Sequence, residues 1–343
     1  MTYAAVAMQM TARSVAPGAT RDTQRESMLR HLTDVTGQIR GATAFITQYG
    51  GAPVRLAVLP EYLFTSYPIR TGISAFAEVA AWDMRGPEYD ALGKAAQDLN
   101  LFLAGNAYER DPHFPGLYFQ TSFIVAPSGE IVLRYRRINS MFAPTPHDVW
   151  SKYLDIYGLD GVFPVARTEI GNLAAIASEE ILYPEIARAH ALRGAEIFVH
   201  SSSEIGGPRR THKMIAKQAR AFENLAYVVS ANTAGIDGYA SADGNSMVVD
   251  WKGQVLAEAG AGETYTAFAD IDLDGLRTAR RKPGMTNYLA RQRTEVFAAA
   301  YAAATVHPAG SLLDGDIARV PDRAHFIETQ ESIISRLAKE GLI

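Results

Sequence analysis

Three polar side chains stand where apolar runs of this 343-residue chain come to an end: Glu61 after LAVLP, Arg137 at the close of EIVLRYRR, and Ser178 in IASEE. A carboxylate, a guanidinium and a hydroxyl make a set that could open an acyl carbon. The carboxylate would handle protons, the cation would steady a developing oxyanion, and the hydroxyl would attack. Ser178 falls between a strand pattern and a helix pattern, where helix N–H groups converge on the turn. Each residue also has a purely structural reading. A carboxylate ending a buried strand is costly unless paired or open to a cleft, and backbone amides alone could satisfy Glu61. Arg134, Arg136 and Arg137, taken by themselves, read as a solvated strand end. Ser178 fits a helix N-cap, with Glu179 and Glu180 favoured by the positive helix end. A serine hydroxyl is far less acidic than a thiol and usually needs a histidine or amine base, and no histidine is placed here by motif.

The elements that must position these residues alternate along the chain. YAAVAMQM (3–10) predicts a strand, and Met28, Leu32, Val35, Ile39, Ala42 and Ile46 form one helix stripe ended by Gly50-Gly51. VRLAVLPEY then reads as a buried strand running into Glu61, and a helix around 87–99 leads to the strand LFLAGNAYE. TSFIVAP, the turn Ser128-Gly129 and EIVLRYRR predict a hairpin. The second half repeats the logic: LAAIAS, helix 184–193, EIFVHSS, helix 208–223, AYVVSANT, GNSMVVDW, the turn Lys252-Gly253, QVLAEAG and TAFADIDL. No low-complexity linker divides the halves, so they read as one α/β domain. Residues 275–343 read as a mostly helical tail that packs on the domain or on a partner subunit.

Composition removes several classes. A net charge of −4 without a basic stripe gives no sign of nucleic acid binding. The start MTYAAVAMQM suits a strand better than a signal peptide, and no apolar run is long enough to span a bilayer. With no cysteine in the chain, disulfides, zinc–thiolate sites and thiol nucleophiles are excluded, which is compatible with a cytoplasmic protein. His190, His200 and His212 lie on separate elements without ligand spacing, so neither a metal nor another cofactor is expected. Neither a GxGxxG loop nor a GxSxG elbow is present.

Five segments in order resemble the nitrilase superfamily of carbon–nitrogen hydrolases, over roughly residues 3 to 300. They are VLPEYLF, SGEIVLRYRRINSMFAPTPHD, AAIASEEILYPEIARAHALRGAEIFVHSSS, QARAFENLAYVVSANTAG with GNSMVVDWKGQVLAEAG, and RTEVFAA. The resemblance implies a four-layer αββα sandwich over 1–300, a C-terminal extension over 301–343, and a homodimer or larger homo-oligomer. In that family a glutamate takes a thiol proton, a cysteine attacks an amide or nitrile carbon, and a lysine stabilises the intermediate. Carried over by motif, those positions are Glu61, Ser178 and Arg137, so two of the three differ from the pattern. The second glutamate of some members has its nearest match in Asp148, a shorter acid at a displaced spacing. Tyr62, His147, Asp148, Glu179, Tyr183 and Ser202 flank these sites and are candidates for binding a small-molecule substrate. Three readings stand open: a working amide hydrolase with Glu-Arg-Ser, a non-catalytic homologue that binds a small amide or carboxylate, and an engineered Cys-to-Ser variant of an active amidase.

Overall fold

The computed structural model describes residues 1–68, 71–204, 210–238, 240–242 and 244–343. Two sheets lie face to face. In the first, strands run in the order Thr264–Asp272, Thr2–Gln9, Val54–Val58, Phe102–Arg110, Phe119–Val125 and Ile131–Arg136. In the second the order is Val255–Glu258, Met247–Val249, Tyr227–Asn232, Ile197–Ser202, Gly171–Ala177 and Ala166–Thr168. Period-two alternation decides what each face meets. Tyr3, Ala5, Ala7, Leu56 and Val58 pack inward against Leu173, Ala175 and Ile197 of the other sheet. Their neighbours Ala4, Val6, Met8 and Ala57 face outward, onto the helix stripe Met28, Leu32, Val35, Ile39, Ala42 and Ile46. That helix, Arg21–Gly50, opens on a capping box between Thr20 and Thr23. Helices Pro184–Leu192 and His212–Asn224 cover the second sheet through Ile186, Ala187, Met214 and Ala221. The result is the αββα sandwich.

The central strands are parallel in both sheets: Val54–Val58 with its two neighbours, and Ile197–Ser202 with its two. Open parallel sheets gather functional groups beyond the carboxyl ends of their strands. Glu61 and Ser178 both follow such ends. Glu61 stands three residues past the end of its strand, in a turn, because Pro60 cannot continue the hydrogen-bond ladder.

Two expectations change. The arginines of EIVLRYRR are not a solvated end. Arg136 is buried between Glu109 at 3.1 Å and Asp111 at 2.5 Å, with its guanidinium over the rings of Phe119 and Tyr157. Arg134 pairs with Glu109 at 3.0 Å. An internal ion network, rather than water, satisfies them. The helix expected over 208–223 is seen as His212–Asn224, and positions 208 and 209 lie outside the described residues.

Residue 300 falls inside the helix Thr294–Ala302, and the chain ends in the helix Arg323–Lys339. The intervening segment docks on the domain: Gly310 N–H donates to the His147 carbonyl at 2.8 Å and Leu312 N–H to the Asp148 carbonyl at 2.9 Å. No helix among the described residues is long and apolar enough to cross a membrane.

His190 is fully buried against Tyr135 and Phe163, with ring centroids 5.1 and 5.7 Å away. Burial pushes its pKa down to about 3, from an ordinary value of 6.5. The folded protein therefore holds it neutral while the unfolded chain protonates it. Its contribution is complete above about 6.5 and is lost as the pH falls toward 3, on the order of 5 kcal/mol in all. Urea unfolding followed against pH should show this acid loss, and His190→Phe should flatten it.

Candidate active site

The turn Leu59–Thr65, the end of the strand Ile131–Arg136 and the turn Ser178–Leu182 meet at one edge of the sandwich. They enclose a cavity of about 560 Å³ lined by Glu61, Tyr62, Gln120, Arg137, Ser178, Glu179, Ser203 and Lys213, among others. Glu61 is buried, and each of its oxygens has a donor: Gln120 Nε2 at 2.5 Å on Oε1, and Ser203 Oγ at 2.6 Å on Oε2. The Tyr62 hydroxyl donates to Ser203 in turn. Arg137 Nη1 lies 3.7 Å from Glu61 Oε1 and donates to the side-chain oxygen Oε1 of Gln120 at 2.7 Å. Its Nη2 pairs with Glu179, and its Nε donates to the Asn139 carbonyl at 2.6 Å. Burial works against the guanidinium, but the carboxylates of Glu179, Glu61 and Glu180 outweigh it and hold its pKa above the ordinary arginine value.

Ser178 occupies the left-handed region, at φ 50°. A non-glycine residue there is strained by about 1 kcal/mol or more. Tyr62, beside Glu61, is also left-handed at φ 38°. Ser178 does not cap a helix. It opens a 3-10 turn, Ser178–Leu182, and the α-helix begins only at Pro184 with no side-chain cap. The turn is held from behind. His200 Nε2 lies 2.8 Å from the Ser178 carbonyl oxygen, and its Nδ1 lies 2.8 Å from Ser230 Oγ. Burial, then the Lys217 charge, keeps this ring's pKa far below the usual histidine range. The Ser178 hydroxyl itself meets Lys213 Nζ at 3.4 Å.

Glu179 and Glu180 divide by side. Glu179 faces the cavity, while Glu180 is fully buried beneath it. Glu180 accepts from the Tyr135 hydroxyl at 2.6 Å and from the Ile138 and Asn139 N–H groups, both at 2.8 Å. It thereby fixes the loop that carries Arg137.

The remaining flanking residues separate. Tyr62 lines the cavity with Glu61. His147, Asp148 and Tyr183 line an adjoining cleft of about 700 Å³ that shares Glu179 and is walled by residues 304–309 and 325–333 of the tail. Asp148 is engaged locally, accepting from Thr145 N–H and Oγ and from Ser311 Oγ. Ser202 is fully buried and outside the cavity lining, whereas Ser203 reaches Glu61. Alternation explains the difference: Ser201 Oγ donates to the Leu59 carbonyl, so Ser203 shares that side and Ser202 points the other way. Ser203 lies within the run HSSSE (200–204) that the sequence singles out, whereas Gln120 and Lys213 were missed. Lys213 had one visible signal. It stands four residues before Lys217, which falls on the buried stripe Met214, Ala216, Lys217 and Ala221 of its helix. The tail completes the cavity wall with Pro321, Asp322, Arg323 and Phe326, the Arg323 guanidinium lying 3.7 Å from the Phe142 ring centre. Among the described residues no cluster of three or more His, Cys, Asp or Glu is arranged to hold a metal ion.

A family model described as "Carbon-nitrogen hydrolase" matches residues 12–281. A formamidase of Pseudomonas syringae is 30% identical over 233 residues, 68% of this chain and 64% of that enzyme. A probable nitrilase of Schizosaccharomyces pombe is 24% identical over 66% of this chain and 78% of its own. The match thus spans less than two thirds of the formamidase. Among solved structures, a carbon-nitrogen hydrolase from Helicobacter pylori superposes with a TM-score of 0.63 at 20% identity, covering 87% of this chain and 98% of that one. An amidase from Nesterenkonia superposes with a TM-score of 0.58 at 21% identity, covering 88% and 96%.

Proposed function

The chain belongs to the carbon–nitrogen hydrolase family, and from that membership we propose that it hydrolyses a small amide with Ser178, Arg137 and Glu61 in place of the family's Cys-Lys-Glu set. The observation that carries the reading is the convergence of these three residues on one cavity of about 560 Å³, a size suited to a compact substrate. In this reading Ser178 forms the acyl intermediate, and Arg137 supplies the charge that steadies the oxyanion. Glu61 accepts from the amide nitrogen and orients the substrate. The strain at Ser178 supports a functional role, since a turn without one has no use for a left-handed serine. The formamidase relatives make formamide and short aliphatic amides the first substrates to try.

The test is ammonia release from a panel of formamide, short aliphatic amides, nitriles and esters. Glu61→Gln keeps the shape of the site but removes a charge, and we expect it to lower kcat/KM about 100-fold. An unchanged rate would remove Glu61 from the mechanism. A panel with no turnover would favour the ligand-binding reading, which the pairing of Arg137 with Glu179 and Gln120 also suits.

We also propose a homo-oligomer. The helix Thr294–Ala302 exposes Val296, Phe297 and Tyr301, and sedimentation measures the state directly.

A further inference from the structure

We propose that Lys213 is the base that takes the proton of Ser178, so that the nucleophile is a serine–lysine dyad built from two different elements. The inference rests on the hydrolase reading for its substrate but has a chemical readout of its own. A serine hydroxyl needs a base stronger and freer than a carboxylate already engaged by several donors. Glu61 is so engaged: Gln120 and Ser203 occupy its two oxygens, and Arg137 lies 3.7 Å away. Arg137 cannot serve, because a guanidinium keeps its protons, and its own donors are already committed to Gln120, Glu179 and Asn139. His200 is spent on the backbone carbonyl of Ser178 and on Ser230. The group that meets the hydroxyl oxygen itself is Lys213 Nζ, at 3.4 Å.

Lys213 stands in the first turn of the helix His212–Asn224, which lays its amine against the turn that carries Ser178. One turn on, Lys217 is fully buried, 3.6 Å from Glu204. Burial brings Lys217 down to about 8, against the pull of Glu204, and the charge of Lys213 acts in the same direction as burial. Two amines four residues apart on one helix face repel when both are protonated. The acids facing the pair are Glu204 beside Lys217, Glu258 whose charge also reaches Lys217, and Glu61 and Glu179 on the cavity wall, both beside Arg137.

The chemistry balances for a primary amide. Neutral Lys213 accepts the Ser178 proton as Oγ bonds to the acyl carbon and the carbonyl pair moves onto oxygen. The carbonyl then re-forms, the C–N bond breaks, and the ammonium of Lys213 returns its proton to the leaving nitrogen, which departs as ammonia. Water attacks the resulting ester by the same route, delivering a proton to Lys213. Lys213 restores the hydroxyl of Ser178 as the carboxylic acid leaves. No cofactor, oxidant or reductant is required.

The test is the rate at which a fluorophosphonate labels Ser178, read by mass spectrometry and run beside the amide panel. Wild-type protein should label at Ser178, and Lys213→Ala should label about 100-fold more slowly. Lys213→Arg, which keeps length and charge but cannot accept a proton, should be as slow as the alanine variant. Added methylamine should restore labelling of Lys213→Ala at least about tenfold, which also shows that the variant is folded. The proposal is overturned if Ser178 does not label, if Lys213→Ala labels at the wild-type rate, or if Lys213→Arg retains it. The two ideas fail separately. Lysine-dependent labelling without amide turnover leaves the dyad and removes the amidase reading. Amide turnover indifferent to Lys213 does the reverse.

Discussion

Ser178→Ala should abolish amide turnover, by about 10⁴-fold or more, and leave the unfolding free energy within about 0.5 kcal/mol of wild type. The activity loss follows from removing the attacking atom. The small stability change follows from geometry: the hydroxyl's contact is a 3.4 Å approach to Lys213, and alanine keeps the same Cβ in the same left-handed backbone. Ser178→Gly separates the roles further. Glycine relieves the strain at φ 50°, and even after its greater flexibility in the unfolded chain it should stabilise the protein by about 0.5–1 kcal/mol while remaining inactive. A helix-capping serine would behave in the opposite way, losing about 1 kcal/mol with alanine. Urea unfolding of the three proteins, with ammonia release measured on each, distinguishes the two outcomes. A destabilised alanine variant that still turns over would return Ser178 to a structural role.

Glu180→Ala should cost about 4 kcal/mol, the largest stability effect expected at the site. It strands three buried donors at once, the Tyr135 hydroxyl and the Ile138 and Asn139 amides, and opens a hole beneath the turn. Glu180→Gln keeps an acceptor and should cost only about 1–2 kcal/mol. It should still lower kcat/KM about tenfold, because Asn139 also receives the Nε bond of Arg137 and a looser loop misplaces that charge. Burial raises the Glu180 pKa above the ordinary glutamate value, against Arg137, the Tyr135 hydroxyl and the two amides. A carboxyl group raised in this way contributes most below its unfolded pKa and loses that contribution as the pH rises through the folded one. The penalty of Glu180→Gln should therefore be greater in mild acid than in mild base. A penalty that grows with pH would show that the buried carboxylate gains more from its donors than it loses to burial.

The sandwich was legible because its signals are long and periodic. The stripe from Met28 to Ile46, the helix at 87–99 and the apolar strands around Glu61 and Ser178 each point to one element, and the elements agree in order. The site was legible only along the chain. Ser203 and Ser202 are indistinguishable until the strand Ile197–Ser202 fixes which of them turns toward Glu61. Gln120 lies far from Glu61 in sequence and reaches it only through the pairing of Phe119–Val125 with its neighbours. Lys213 looks like an ordinary solvated lysine until the turn Ser178–Leu182 is laid against its helix. Arg136 shows the reverse, a charge that reads as surface and is interior because Glu109 and Asp111 come from another strand and its following turn. Long-range partners decide these four cases, and short-range pattern cannot supply them.

The wall formed by Pro321, Asp322, Arg323 and Phe326 also orders events in time. Synthesis proceeds from the amino end, so Glu61, Arg137, Ser178 and Lys213 all leave the ribosome before that wall exists. The emerging chain holds all four residues while the cavity still has an open side. The last part of the pocket to be made is thus its outer wall, which in the proposed reaction comes after the groups assigned to chemistry.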